Sequence, residues 1–158
     1  MTKTRNRRPP IPIGSVSHGT LREEDLIPAF EDFLRRHGSR PPRRPAGIAS
    51  LLRVGSAAGA HAWESVSWYL NEVLWGRMEA LAPPYAYFGA SEGDGADFGY
   101  WPMVEVALEE VHSGELAGGD EMPDSAPAGS LFLHVSDHGN VELYRRVLGG
   151  WESLWSVV

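Results

Sequence analysis

The sequence predicts an α+β fold: a single domain with one antiparallel sheet of about five strands and two or three helices packed against it. Three observations predict it. The chain has 158 residues, 42% of them hydrophobic and six of them Trp, which is the size and apolarity of one folded domain rather than of a disordered chain. Apolar residues recur at helical spacing in the first half. Two hairpin patterns with a helix between them, and then a last strand, follow in the second half.

Residues 1–19 are rich in Arg, Pro and Ser and read as a flexible basic tail, which leaves 20–158 as the domain. Thr20-Leu21-Arg22-Glu23 has the capping-box pattern of a helix start. A helix running straight on would hold Pro28 in its interior, at about 3 kcal/mol. The expected solution is a second start capped by Asp25, with Pro28 in its first turn. Leu26, Ile27, Phe30, Phe33 and Leu34 then share a face. Arg35, Arg36 and His37 complement the C-terminal dipole, and Gly38 ends the helix.

Residues 39–47, Ser-Arg-Pro-Pro-Arg-Arg-Pro-Ala-Gly, form a polyproline-like linker, followed by a short apolar piece at Ile48–Val54 and a small-residue loop over 55–60. The strongest helix signal spans 62–82, with Trp63, Val66, Leu70, Val73, Leu74 and Leu81 on one face and Pro83-Pro84 as the stop. Tyr85–Ala90 and Phe98–Trp101 read as a hairpin with a loose acidic tip at 91–97. Pro102 opens a third helix with Val104, Leu108 and Val111 inward, and a Gly/Asp/Pro loop covers 114–129. Leu131–Ser136 and Val141–Arg146 flank the turn Asp137-His138-Gly139-Asn140, and Trp151–Val158 supplies the last strand.

Charge is unevenly spread. Residues 1–53 hold 11 Lys and Arg against 5 Asp and Glu, a balance of +6, whereas residues 54–158 hold 3 against 16, a balance of −13. An acidic body of this kind disfavours nucleic-acid phosphate and anionic lipid and favours a basic protein partner. The tail cations Lys3, Arg5, Arg7 and Arg8 keep a nucleic-acid or acidic partner open for the tail alone, although no aromatic residues interleave them. There is no cysteine, so disulfides, thiolate metal sites and a Cys nucleophile are excluded. No apolar run approaches the roughly 20 residues of a membrane helix, and a cytoplasmic, membrane-free protein without a cofactor is expected.

Several motifs suggest chemistry, and each meets a structural requirement. Gly89-Ala90-Ser91-Glu92-Gly93 matches the G-x-S-x-G pattern of hydrolase elbows, which needs a helix after the Ser, and here an aromatic strand follows. Gly93, Gly95 and Gly99 lack the helix that a dinucleotide fingerprint needs, and the neighbouring carboxylates would repel a phosphate. Glu92, Asp94 and Asp97 are oxygen donors of the kind Ca²⁺ takes, without the spacing of a twelve-residue helix–loop–helix site. His134 and His138 bracket Asp137 and form a usable metal-ligand set only if strand and turn bring them together.

The most informative pattern lies on the long helix. At 100° per residue from Trp63, Leu70, Leu74 and Leu81 fall within about 20° of it, while Trp68 and Trp75 fall at about 140° and 120°. Glu64, Glu72 and Glu79 lie near these two Trp. Two readings result. Either the Pro-Arg linker, with Arg40, Arg43 and Arg44, stacks over the indoles, or Trp68, Glu72, Trp75 and Glu79 form an aromatic anchor rimmed by carboxylates for a basic partner.

The stretch Leu26-Ile-Pro-Ala-Phe-Glu-Asp-Phe-Leu-Arg-Arg-His-Gly38 resembles the Leu-Pro…Leu…Gly helix of SUKH-type immunity proteins. The resemblance covers about a dozen residues, and the linker and long helix beyond it depart from that pattern. It implies a compact α+β protein that binds a toxin. The expected function is a non-enzymatic acidic protein-binding module; an inhibitor or immunity-type protein acting on a basic or nucleic-acid-handling partner would have this charge profile. The alternative is a small metal-dependent hydrolase that uses the 91–97 and 134–140 loops.

Overall fold

Seven strands divide between two sheets in the computed structural model, which describes residues 10–158. The order along the chain is β1 (Gly14–Ser17), α1 (Glu23–Arg36), α2 (Ile48–Val54), a 3₁₀ turn (Gly55–Ala58) and α3, a continuous helix over 60–79. Then come β2 (Ala86–Ser91), β3 (Asp94–Pro102), α4 (Val104–Ser113), β4 (Ala117–Gly119), β5 (Leu131–Val135), β6 (Val141–Val147) and β7 (Gly150–Val157).

The α+β class holds, but the single five-stranded antiparallel sheet does not. The first sheet is antiparallel in the order β1-β3-β2. The second runs β4-β5-β6-β7, with β4 parallel to β5 and the other pairs antiparallel. The extra strands, β1 and β4, are short and carry Gly, Ser and Ala, so they give no alternating apolar signal. Residues 14–17, which composition assigns to the tail, are therefore part of a sheet. The tail cations Lys3, Arg5, Arg7 and Arg8 lie outside the described residues.

Gly99 explains how β1 joins. A Cβ at that position would overlap the carbonyl of Gly14, so the pairing of β1 with β3 requires a residue without a side chain there. The acidic tip of the first hairpin is also tighter than expected: β2 ends at Ser91 and β3 begins at Asp94.

Two apolar clusters form the core. The first gathers α1, Ile48 of α2, the α3 seam, Phe88 and Tyr100. The second gathers Ala107, Leu116, Leu133, Val141, Leu143 and Trp155 between α4 and the second sheet. Ile13 packs against both. The Trp155 indole N–H donates to the Pro84 carbonyl at 2.8 Å, tying the second sheet to the end of the long helix segment.

α1 starts at Glu23 rather than at Asp25, so Pro28 sits inside the helix after all. Its missing N–H costs about 3 kcal/mol of helix stability. The burial of Leu26, Ile27, Phe30, Phe33 and Leu34 offsets this, at roughly 1.5–3 kcal/mol per fully buried side chain. Thr20 is not a reciprocal capping box: its hydroxyl accepts from the Arg22 amide and donates to Asp25.

α3 is not uniform. Residues Ala60–Trp68 are α-helical, Tyr69–Leu74 form a π-helical segment, and Trp75–Glu79 return to α geometry. The i→i+5 bonding of a π segment advances about 82° per residue instead of 100°. Over six residues the helix therefore lags by about 110°, which decides where the second Trp points.

Candidate functional site

The two indoles expected on one face are separated by the π segment. Trp68 precedes it and is 53% exposed. Trp75 follows it, and a lag of about 110° carries that indole from about 120° to within roughly 10° of the Trp63 direction. Trp75 accordingly packs into the first cluster, edge-on to Phe30, Phe88 and Phe98 at ring separations of 6.4, 5.0 and 5.8 Å. Its N–H reaches out to the Glu79 carboxylate at 3.0 Å. Of the four residues predicted as an anchor, Trp68 and Glu72 lie on the surface, Trp75 is half-buried and packs against the core, and Glu79 is exposed and accepts the Trp75 N–H.

The linker does not cover Trp68 with a guanidinium. Among the described residues, the cation–π contact is Arg146 over Trp151, at 5.5 Å. The linker is instead held by a residue the sequence reading passed over. Glu31 sits in the middle of the apolar face of α1, four residues after Ile27 and three before Leu34, and is buried. Its carboxylate accepts two bonds from Arg44 at 2.7 and 2.9 Å, one from Arg35 at 3.0 Å and one from the Tyr69 hydroxyl at 2.9 Å. The Tyr69 hydroxyl also lies 2.9 Å from the Pro42 carbonyl.

These contacts set the ionisation of the cluster. Burial pushes the Glu31 carboxyl up, but the bonds from Arg44 and Tyr69 and the charge of Arg44 outweigh it and hold the group below the usual range. The Arg44 guanidinium is raised by its bond to Glu31. The Tyr69 phenol is pushed well up, first by burial and then by the adjacent carboxylate. The cluster is thus an ionised carboxylate fully used by two cations and one hydroxyl. A charged residue at the centre of an apolar helix face was the signal available in the sequence.

The acidic tip is held differently. The His18 Nδ1 lies 3.8 Å from both Asp94 and Asp97, and the Gly19 amide donates to the Ala96 carbonyl at 2.9 Å. Asp94 accepts from the Ala96 amide, as a turn residue does. Ser91 ends a strand that turns directly into β3, so no helix N-terminus stands behind its hydroxyl and the elbow geometry is absent. A hollow of about 260 Å³ lies beside it, lined by Tyr87, Trp101, Val104 and Val157 among others.

His134 sits on β5 opposite Glu142, whereas His138 is exposed in the turn that follows. That turn is closed by the Gly139 amide on the Ser136 carbonyl and by the Asn140 amide on the Ser136 hydroxyl. The 91–97 and 134–140 segments belong to different sheets. Among the described residues, no three His, Asp or Glu side chains are gathered as metal ligands. Glu92, Asp94, Asp97, His134 and His138 therefore do not form the common site that the sequence offered.

At the junction of the two halves, Tyr85 holds a positive φ of 53° and donates to the Glu110 carboxylate. That bond, followed by burial, pushes its phenol up to about 12. No family model matches the chain, and neither a curated protein nor a solved structure was found to match it. No helix among the described residues is long and apolar enough to cross a membrane.

Proposed function

We propose that the protein is a non-enzymatic binding module that docks a basic protein partner through the Trp68 face of α3. The observation that supports it is the exposed indole of Trp68, carried on a helix whose opposite side is fixed in the core. Exposed Glu64 and Glu72 stand one helical turn before and after it. An aromatic ring on a rigid element loses little conformational freedom on binding and is the residue type most often found at the centre of an interface. The carboxylates beside it, and the −13 balance of residues 54–158, would steer a cationic surface towards it. Trp75, packed against the core, and Glu79, bonded to its indole, are not part of this docking face. An inhibitor of a basic, nucleic-acid-handling protein is the kind of activity that such a surface suits.

The test is a Trp68→Ala variant in a pull-down from the native host, compared with the wild type. We expect loss of the captured basic protein with folding stability changed by no more than about 0.5 kcal/mol. Retention of the same partner by Trp68→Ala and by Glu64→Lys/Glu72→Lys would overturn the reading.

A further inference from the structure

We infer that the groove beside the C-terminus of α1 is a binding site for a phosphomonoester, separate from the Trp68 face and independent of it. The groove is a shallow, solvent-open hollow of about 710 Å³ lined by Glu31, Arg35, Ser39, Arg40, Pro41, Pro42 and Arg44. Its volume is that of a small-molecule site.

Charge selects the ligand. Three guanidiniums face one carboxylate, which leaves a surplus of two positive charges on a protein whose overall balance is −7. A phosphomonoester carries about −1.5 to −2 near neutral pH and so matches that surplus. A lone carboxylate would neutralise half of it. A nucleic-acid strand would bring further phosphates against the acidic body.

Two of the three cations are already positioned. Glu31 fixes Arg44 through two bonds and Arg35 through one. Each guanidinium has five N–H donors, so both retain donors after satisfying Glu31, without the entropy cost of ordering a free side chain. Arg40 is exposed, and unlike Arg35 and Arg44 it makes no ion pair with Glu31, so it can close on a ligand.

A second observation is independent of charge. Ser39 is 2% exposed, and its hydroxyl is buried with no hydrogen-bond partner. Buried hydroxyls are ordinarily satisfied, and Ser39 lines the cationic groove, so a small local shift would let this unpartnered hydroxyl donate to a phosphate oxygen. The negative end of α1 does not oppose this. The carbonyls of Phe33, Leu34 and Arg35 are taken by the amides of His37, Ser39 and Gly38.

The test uses the full chain at low ionic strength, with amide resonances followed by NMR. Glycerol phosphate and a phosphoserine tripeptide are the two phosphomonoester probes; acetate and a short single-stranded oligonucleotide are the controls. We expect saturable shifts at Gly38, Ser39 and Arg40 with at least one phosphomonoester, with a Kd of about millimolar or tighter. The probe that binds more tightly distinguishes a small phosphate from a modified side chain as the source. Arg40→Glu should weaken binding about tenfold or more and Ser39→Ala several-fold. Arg40→Glu should keep the wild-type Tm because Arg40 is exposed, and Ser39→Ala should keep or raise it because it removes an unsatisfied buried hydroxyl. No saturation by about 20 mM phosphomonoester, or affinity unchanged in both variants, would overturn the site. So would tighter binding of acetate or of the oligonucleotide.

Discussion

The two halves of the molecule are held by different means. The first, built from α1–α3 and the β1-β3-β2 sheet, contains the larger apolar cluster, with a ring group of Phe30, Trp75, Phe88, Phe98 and Tyr100. It also contains a long irregular linker, 39–47, with no sheet ladder to secure it. The second half has a thinner cluster of six buried residues, but its strands form one four-stranded sheet, and its own loop over 120–130 is tied to that sheet by the side chains of Arg146 and Trp151. Where backbone ladders run, a thin core suffices. Where the chain crosses the surface without them, side chains reaching from a buried carboxylate to Arg44 and Tyr69, and through Tyr69 to Pro42, take over the task.

The largest effect that would sharpen this contrast is expected at Trp75. Trp75→Ala opens the ring group and should cost about 3–4 kcal/mol in urea denaturation, against no more than a few tenths for its exposed neighbour Trp68. Equal costs at the two positions would contradict the rotation by the π segment. Next comes Arg44→Ala, which leaves Glu31 buried with a weaker set of partners. The expected loss is about 2–3 kcal/mol, moderated because Arg35 and Tyr69 remain. Protease cleavage within 39–47 should accelerate in parallel, because Arg44 holds that segment.

Gly99→Ala tests how β1 is joined. The clash is with the Gly14 backbone, so no side chain can rotate away, and the expected cost is about 1–3 kcal/mol with loss of amide protection at Gly14 and Ser15. A stable variant with β1 still paired would contradict the close approach.

The smallest effect concerns pH. The folded Glu31 carboxyl lies below its unfolded value of about 4.3. Its contribution is therefore present above that pH and is lost as pH falls through the lower folded value. Glu31→Gln should be less stable than the wild type at neutral pH, and its stability should fall less steeply in that acidic window. Parallel curves would assign the acid response to other carboxylates.

Much of this architecture was legible in the sequence. The α1 face, the long helix, both hairpins and the helix after Pro102 all carry the periodicity of one buried side. The elements that were missed, β1 and β4, are short and made of small residues, and their pairing depends on partners distant in sequence. The Pro28 position was misjudged because the apolar burial of α1 outweighs a local penalty. At the candidate face, the sequence marked Trp68 and Trp75 alike. They differ because a wheel drawn at constant pitch cannot register six residues of wider helix. Glu31 was visible as a charge on an apolar stripe, but its partners Arg44 and Tyr69 lie 13 and 38 residues away.

By itself, then, the sequence determined the two main early helices, both hairpins and the helix after Pro102, the absence of thiol chemistry and the opposition between a basic start and an acidic body. These are local or additive properties: period, residue type and summed charge. Only the tertiary structure decided that there are two sheets, that one indole faces solvent while the other packs against the core, and that Arg35, Arg40 and Arg44 line one groove with Ser39. Those are matters of relative position, and relative position depends on contacts between residues far apart in the chain, which no window along it contains.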